Sequence, residues 1–221
     1  MKRLAVLMLS VLAVMAWAAP WAMSAPQPKV VPTEWELSFS HQAPQAIQVR
    51  VPGEAAPRTF WYMLYSVTNQ TGQDRMYVPN FVLYTDTGQV RGGAEGISPT
   101  VFEAIVARHN NPLLESVAGM TGMLLRGEDN AKDGVAIFED IEPEARAFDL
   151  FVSGLSGEGV TLKLPRPVDV MEADTEGRTR QVVRDTVVLH KTLRLQFRLP
   201  DDPVSRLSRP ALADGSDWVM R

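Results

Sequence analysis

The chain has 221 residues, a formal net charge of −4, 45% hydrophobic and 22% charged residues, and no cysteine. That is enough for one large domain or two small ones of ordinary globular composition. The missing cysteine excludes disulfides, thiolate metal sites, a cysteine nucleophile and a lipid-anchored lipoprotein. An acidic chain without a basic block is a poor partner for nucleic acid or anionic lipid.

The first residues read as an export signal. Lys2 and Arg3 give a positive start, an apolar run follows, and Ala22-Met23-Ser24 places small residues ahead of a cut before Ala25. Ala16-Trp17-Ala18 is a second possible site. The alternative is an uncleaved anchor, since the apolar run approaches the roughly 17–25 residues a spanning helix needs. Pro20 and the small residues favour cleavage. Removing 1–24 takes away Lys2 and Arg3 and leaves 20 basic against 26 acidic residues. No later segment is long and apolar enough to span a membrane.

Residues 25–33 contain three prolines and read as an extended lead-in. Trp35, Leu37 and Phe39 then alternate with Glu36 and Ser38, and Ile47, Val49 and Val51 with Gln48 and Arg50. Both patterns have the period of two that marks strands. The central run is Phe60-Trp61-Tyr62-Met63-Leu64-Tyr65-Ser66-Val67-Thr68-Asn69. Trp61, Met63, Tyr65 and Val67 are assigned to the core. The other set starts apolar and ends in hydroxyls, as in a strand covered on both faces at its start and open to water at its end. Asn69-Gln70-Thr71-Gly72-Gln73-Asp74 is turn chemistry, and a second apolar run over 76–85 predicts a hairpin with the first. Pro79 lacks an amide proton and marks an edge or a bulge there. Asn69-Gln70-Thr71 also matches a glycosylation sequon, but the turn accounts for it.

The middle of the chain changes character. Ser98-Pro99, followed by Val101, Phe102, Ile105 and Val106 at helical spacing, predicts a helix over 99–109. Residues 113–125 are ambiguous, because Gly119 and Gly122 loosen any helix. The span 92–130 reads as an insertion between strands and is the expected contact surface. Strands resume with Val135-Ala136-Ile137-Phe138, then Phe148, Leu150 and Val152, then Val160, Leu162 and Leu164, which Pro165 and Pro167 break or edge. Residues 172–177 form an acidic hairpin tip. Leu193, Leu195, Phe197 and Leu199 mark the last strand, whose phase runs back through Leu189 and Val187 with a bend expected near His190. Residues 201–221 form a polar C-terminal tail that is either disordered or a strap, and docking of Trp218 on the body is the favoured reading.

About nine short strands with turns between them predict a mainly β protein, an antiparallel β-sandwich over 25–200 with a short helix-containing insertion. Tyr65-Ser66-Val67-Thr68-Asn69-Gln70-Thr71-Gly72, with a returning strand that closes on Asp86-Thr87-Gly88, resembles immunoglobulin-like modules of secreted bacterial proteins. The resemblance covers about 30 residues. It implies an immunoglobulin-like sandwich that binds proteins or glycans or acts as a spacer. Trp61, Tyr62 and the 92–130 insertion depart from the usual module.

No catalytic, cofactor or metal residue is singled out. His41, His109 and His190 lack ligand partners at helical or strand spacing; His41 and His109 read as solvated, His190 as a half-exposed strand residue. Glu128, Asp129, Asn130 and Asp133 lack the ligand order of a calcium loop and read as a solvated turn. Met120 and Met123, with His109, could suggest Cu(I), but methionines three apart are more often core filler. There is no Gly-x-Ser-x-Gly elbow and no phosphate loop. The expectation is a periplasmic or extracellular non-catalytic protein, binding an envelope protein or carbohydrate or serving in envelope structure, with no cofactor. The alternative is a polysaccharide hydrolase with two facing carboxylates about 5–10 Å apart.

Overall fold

The computed structural model describes residues 25–93, 96–173 and 178–221. The expected signal, 1–24, lies outside them, as do residues 174–177 of the acidic tip. The chain is mainly β, with several sheets. In order it forms β1 (Ser38–His41), β2 (Gln45–Val49), β3 (Arg58–Thr68), β4 (Arg75–Tyr77), β5 (Asn80–Thr85) and β6 (Val90–Gly92). Helix α1 (Pro99–His109), β7 (Glu115–Ser116), the short helix α2 (Val117–Met120) and β8 (Gly122–Leu124) come next. The remaining strands are β9 (Lys132–Glu139), β10 (Ala147–Ser153), β11 (Gly159–Ala173), β12 (Thr179–Arg198) and β13 (Leu212–Met220).

β3 is paired along both edges. β9 runs antiparallel along one edge, from Phe60↔Glu139 to Val67↔Lys132. The other edge is shared in line by β2, opposite 58–62, and β1, opposite 65–68. β7 adds to β9 in parallel. A second sheet places β5 between β6 and β10, and β10 against β12. β4 and β8 form a separate two-stranded ribbon.

The faces of β3 follow its alternation. Trp61, Met63, Tyr65 and Val67 are buried in one cluster with Phe81, Leu83, Phe148, Leu150, Val152, Leu195 and Phe197 of the second sheet. Phe60 and Tyr62 point the other way, into a second cluster with Val101 and Ile105 of α1. Burial of each large apolar side chain contributes about 1.5–3 kcal/mol. α1 starts as its sequence predicts, with Pro99 in the first turn after an extended Ser98, although the Ser98 side chain makes no capping bond. It ends at Asn110, in the left-handed conformation that asparagine tolerates. Much of the 92–130 insertion is therefore structural, because α1 covers the outer face of the first sheet.

The expected hairpin over 60–85 does not form. With β9 on one edge and β1 and β2 on the other, β3 has no edge left. The chain turns away at Asn69, which is fully buried. Asn69 Nδ2 donates to the carbonyls of Gln73 (2.8 Å) and Leu124 (2.9 Å), and Oδ1 accepts from the Thr71 amide (3.0 Å). This burial is incompatible with a glycan on the folded chain. Pro79 falls between β4, which joins the ribbon, and β5, which joins the second sheet.

β12 is a single strand of 20 residues. Its neighbour on one side changes from β11, up to His190, to β10, from Leu193. Pro165 and Pro167 lie where the β11–β12 register shifts, between Lys163 and Val168. The C-terminal tail ends in a strand of nine residues: β13 pairs with β12, and Trp218 sits opposite Leu193 and packs against the main core.

Replacing Asn69 by alanine removes its buried bond to the Leu124 carbonyl and its bond to the Thr71 amide, while the Gln73 carbonyl keeps the Thr71 hydroxyl. Asn69→Ala should lower unfolding free energy by about 1–3 kcal/mol in denaturant titrations. A change near zero would show that the turn is held by other contacts.

Candidate functional site

Among the described residues the most enclosed charged group is Lys191, 3% exposed at the point where β12 changes neighbours. Its Nζ lies 2.9 Å from Glu36 Oε2 and 3.6 Å from Glu158 Oε2, and 4.8 Å from the centre of the Trp218 ring. Glu158 Oε1 accepts from the Lys29 amide at 2.9 Å. One ammonium thus joins the N-terminal segment, the loop after β10, and strands β12 and β13. Two carboxylates converge on this ammonium, so it is a natural test of the hydrolase alternative. A glycosidase pair must face a sugar across open space. Here the space between the acids holds Lys191. The arrangement suits a clamp that fixes three distant segments.

The residues singled out by sequence are dispersed. His41 ends β1, with its ring edge-on to Phe197 at 5.9 Å. His190 is exposed on β12. His109 corrects the expectation of a solvated side chain: it is half-buried on the last turn of α1, with Nε2 2.8 Å from the Tyr62 hydroxyl. The helix face that buries Ile105 brings it there. Burial, with a smaller contribution from the Arg108 charge, holds its pKa below the ordinary value of 6.5. Glu128, Asp129 and Asn130 form an exposed 3₁₀ turn, in which Glu128 accepts from Gln70 and Asn130 donates to the Arg126 carbonyl. Among the described residues, no group of three or more His, Asp or Glu side chains is placed to hold a metal. Met120 is in the core and Met123 is on the surface, so with His109 they do not make one site.

Two surfaces could meet a partner. The outer face of the second sheet carries a groove of about 490 Å³ lined by Asn80, Phe151, Ser153, His190, Thr192 and Arg221. Its aromatic rings are not free. The Arg221 guanidinium lies 4.3 Å from the Phe151 ring centre and 4.6 Å from that of Tyr84, and the two rings stand at 82° to each other. A flat platform for stacking a sugar is absent from this groove.

The β4–β8 ribbon is the second surface. Its inner side buries Tyr77 and Leu124. On its outer side Met76 pairs across the strands with Met123, and they are 58% and 54% exposed. Val78 and Leu125, two residues on from each, are exposed as well. The cross-strand methionine pair is thus flanked by exposed apolar residues, of which Val78 also borders the sheet-face groove. The sequence hides the pair: Met76 and Met123 are remote in the chain, and only their cross-strand pairing brings them together. The alternation of Met76 with Tyr77 is the one local signal.

Comparison with known protein families, with curated proteins and with solved structures finds no match to this chain.

Two outcomes check these assignments. Lys191→Met would leave the buried Glu158 and the partly buried Glu36 without their ammonium, and unfolding should lose about 3–5 kcal/mol. A neutral result would show that the clamp is dispensable. For His109, the folded pKa lies below the unfolded one, so the unfolded chain binds more protons as pH falls below 6.5. The stability linked to His109 is present above that pH and is lost as pH falls through the folded pKa. His109→Gln should therefore flatten the stability profile of the wild type in that window, as read from melting temperature against pH.

Proposed function

We propose that this chain is an exported, immunoglobulin-like β-sandwich that acts without catalysis, as a binding protein of the cell envelope. We assign its contact surface to the outer face of the β4–β8 ribbon and its partner to another protein. The sandwich reading is supported by one apolar cluster that takes side chains from both main sheets. Export is supported by Lys2, Arg3, the apolar run and the small residues ahead of Ala25. The observation that carries the function is the exposed pair Met76 and Met123, with Val78 and Leu125 beside it. Methionine is flexible and polarisable, and suits surfaces that adapt to a partner's apolar side chains. β8 belongs to the 92–130 insertion, so this face gives the insertion a binding role besides the covering role of α1. Protein is favoured over carbohydrate because Arg221 covers the aromatic rings of the sheet-face groove. Binding is favoured over hydrolysis because Lys191 occupies the space between Glu36 and Glu158.

The test compares wild type with the Met76→Ser/Met123→Ser double variant, each immobilised and exposed to an envelope extract. A protein held by wild type should be identified, and its affinity for the variant should fall at least tenfold while the melting temperature stays within a few degrees. Equal retention by both proteins, or a soluble envelope polysaccharide as the sole ligand, would reject the ribbon as the contact surface.

A further inference from the structure

β12 is flanked on both sides only in its second half. His190 N donates to Arg221 O (2.7 Å), whereas Lys191 N donates to Glu158 O (2.9 Å). Successive amides of a strand point to opposite edges. The segment that leads into β11 and the end of β13 therefore lie on opposite sides of β12. Before His190, β11 continues along its side to Ala173↔Thr179, while the other side runs past Arg221 without a neighbour among the described residues. The even-numbered residues Arg180, Val182, Arg184, Thr186 and Val188 share the direction of His190, so their N–H and C=O groups face this open edge.

Proteins usually guard such edges with proline, bulges or charge, because an unpaired ladder recruits other strands. β11 shows those devices on its own outer edge. Pro165 and Pro167 lie within it, and the register breaks between Lys163 and Val168. The open edge of β12 has neither proline nor bulge over 179–188, and its charges, Arg180, Arg184 and Asp185, are of both signs, with Arg184 paired to Glu172. Val182, Val183, Val187 and Val188 give it the β-branched character of a paired strand, and Val183 is 66% exposed.

We propose that this edge pairs with the same edge of a second copy of the chain, antiparallel about a two-fold axis that passes through the Val183 pair. The charges select the register together with Arg221, which already holds the His190 edge and so blocks an axis on Thr186 or any later residue. Centring the axis on Val182 sets Arg180 against Arg184 of the other copy. Centring it on Arg184 or Asp185 sets like charges directly against each other, which is destabilising. Centring it on Val183 places Gln181 opposite Asp185, Arg180 opposite Thr186 and Val182 opposite Arg184, with no like charges in register. The even-numbered residues then exchange main-chain hydrogen bonds, and the second sheets of the two copies become one. A closed two-fold dimer is the commonest outcome of such a self-complementary surface.

The chain has no cysteine, so one introduced thiol reports on the axis. In the proposed register the Val183 pair is not hydrogen-bonded, with Cα atoms about 4.5 Å apart, which a disulfide can bridge. Purified full-length protein should sediment as a dimer in the micromolar range. Val183→Cys should cross-link to a dimer under mild oxidation, and Val188→Cys should not. Thr186→Pro removes an N–H that faces the open edge and leaves the β11 side intact, so it should raise the dimer dissociation constant at least tenfold with melting of the monomer unchanged. A monomer at all concentrations, a dimer indifferent to Thr186→Pro, or preferential cross-linking through Val188→Cys would each overturn the proposal.

Discussion

Every other choice in this fold depends on the fact that β3 is used up on all four sides. Its edges hold β9 on one side and β1 and β2 on the other. Its faces hold the second sheet on one side and α1 on the other. A strand in that position cannot start a hairpin with the next stretch of chain, so the chain must cross to the second sheet. Asn69 is buried at that exit, and its amide ties the exposed turn after it to the body. A strand with large side chains on both faces also needs a second cover, and α1 supplies it where the even-numbered side chains are largest.

The second constraint is charge inside the body. Lys191 and two glutamates stand where β12 exchanges β11 for β10 and where the N-terminal segment arrives. A buried ion cluster is weak evidence for stability, since desolvation offsets attraction. Its value lies in geometry: carboxylates from two distant segments must both reach one ammonium, and that fixes where the lead-in and the loop after β10 can sit. A convergence that would suggest acid–base chemistry in an open cleft is used here to position segments.

Surface features separate along similar lines. Tyr84 and Phe151 of the second sheet are covered by Arg221. Met76 and Met123 of the ribbon and Val183, Val187 and Val188 of β12 are not covered. The prolines and register shift of β11 show that one strand edge in the hairpin is blocked. That makes the unblocked edge beside it the more informative one.

Side-chain periodicity carries information about faces, and the sequence by itself determined those well. Trp61, Met63, Tyr65 and Val67, the run from Leu193 to Leu199, and the helix over 99–109 all lie as their spacing demands. The mainly β character comes from the same patterns. Edges are different. The hydrogen bonds that pair strands are made by the backbone, which is nearly identical at every residue, so the sequence leaves almost no record of which strand lies beside which. Tertiary structure alone decided that 76–85 divides between a ribbon and the second sheet, that 212–220 becomes a strand, and that Met76 meets Met123. It likewise decided that Glu36, Glu158 and Lys191 form one cluster, because charges remote in the chain meet only once the strands between them are ordered.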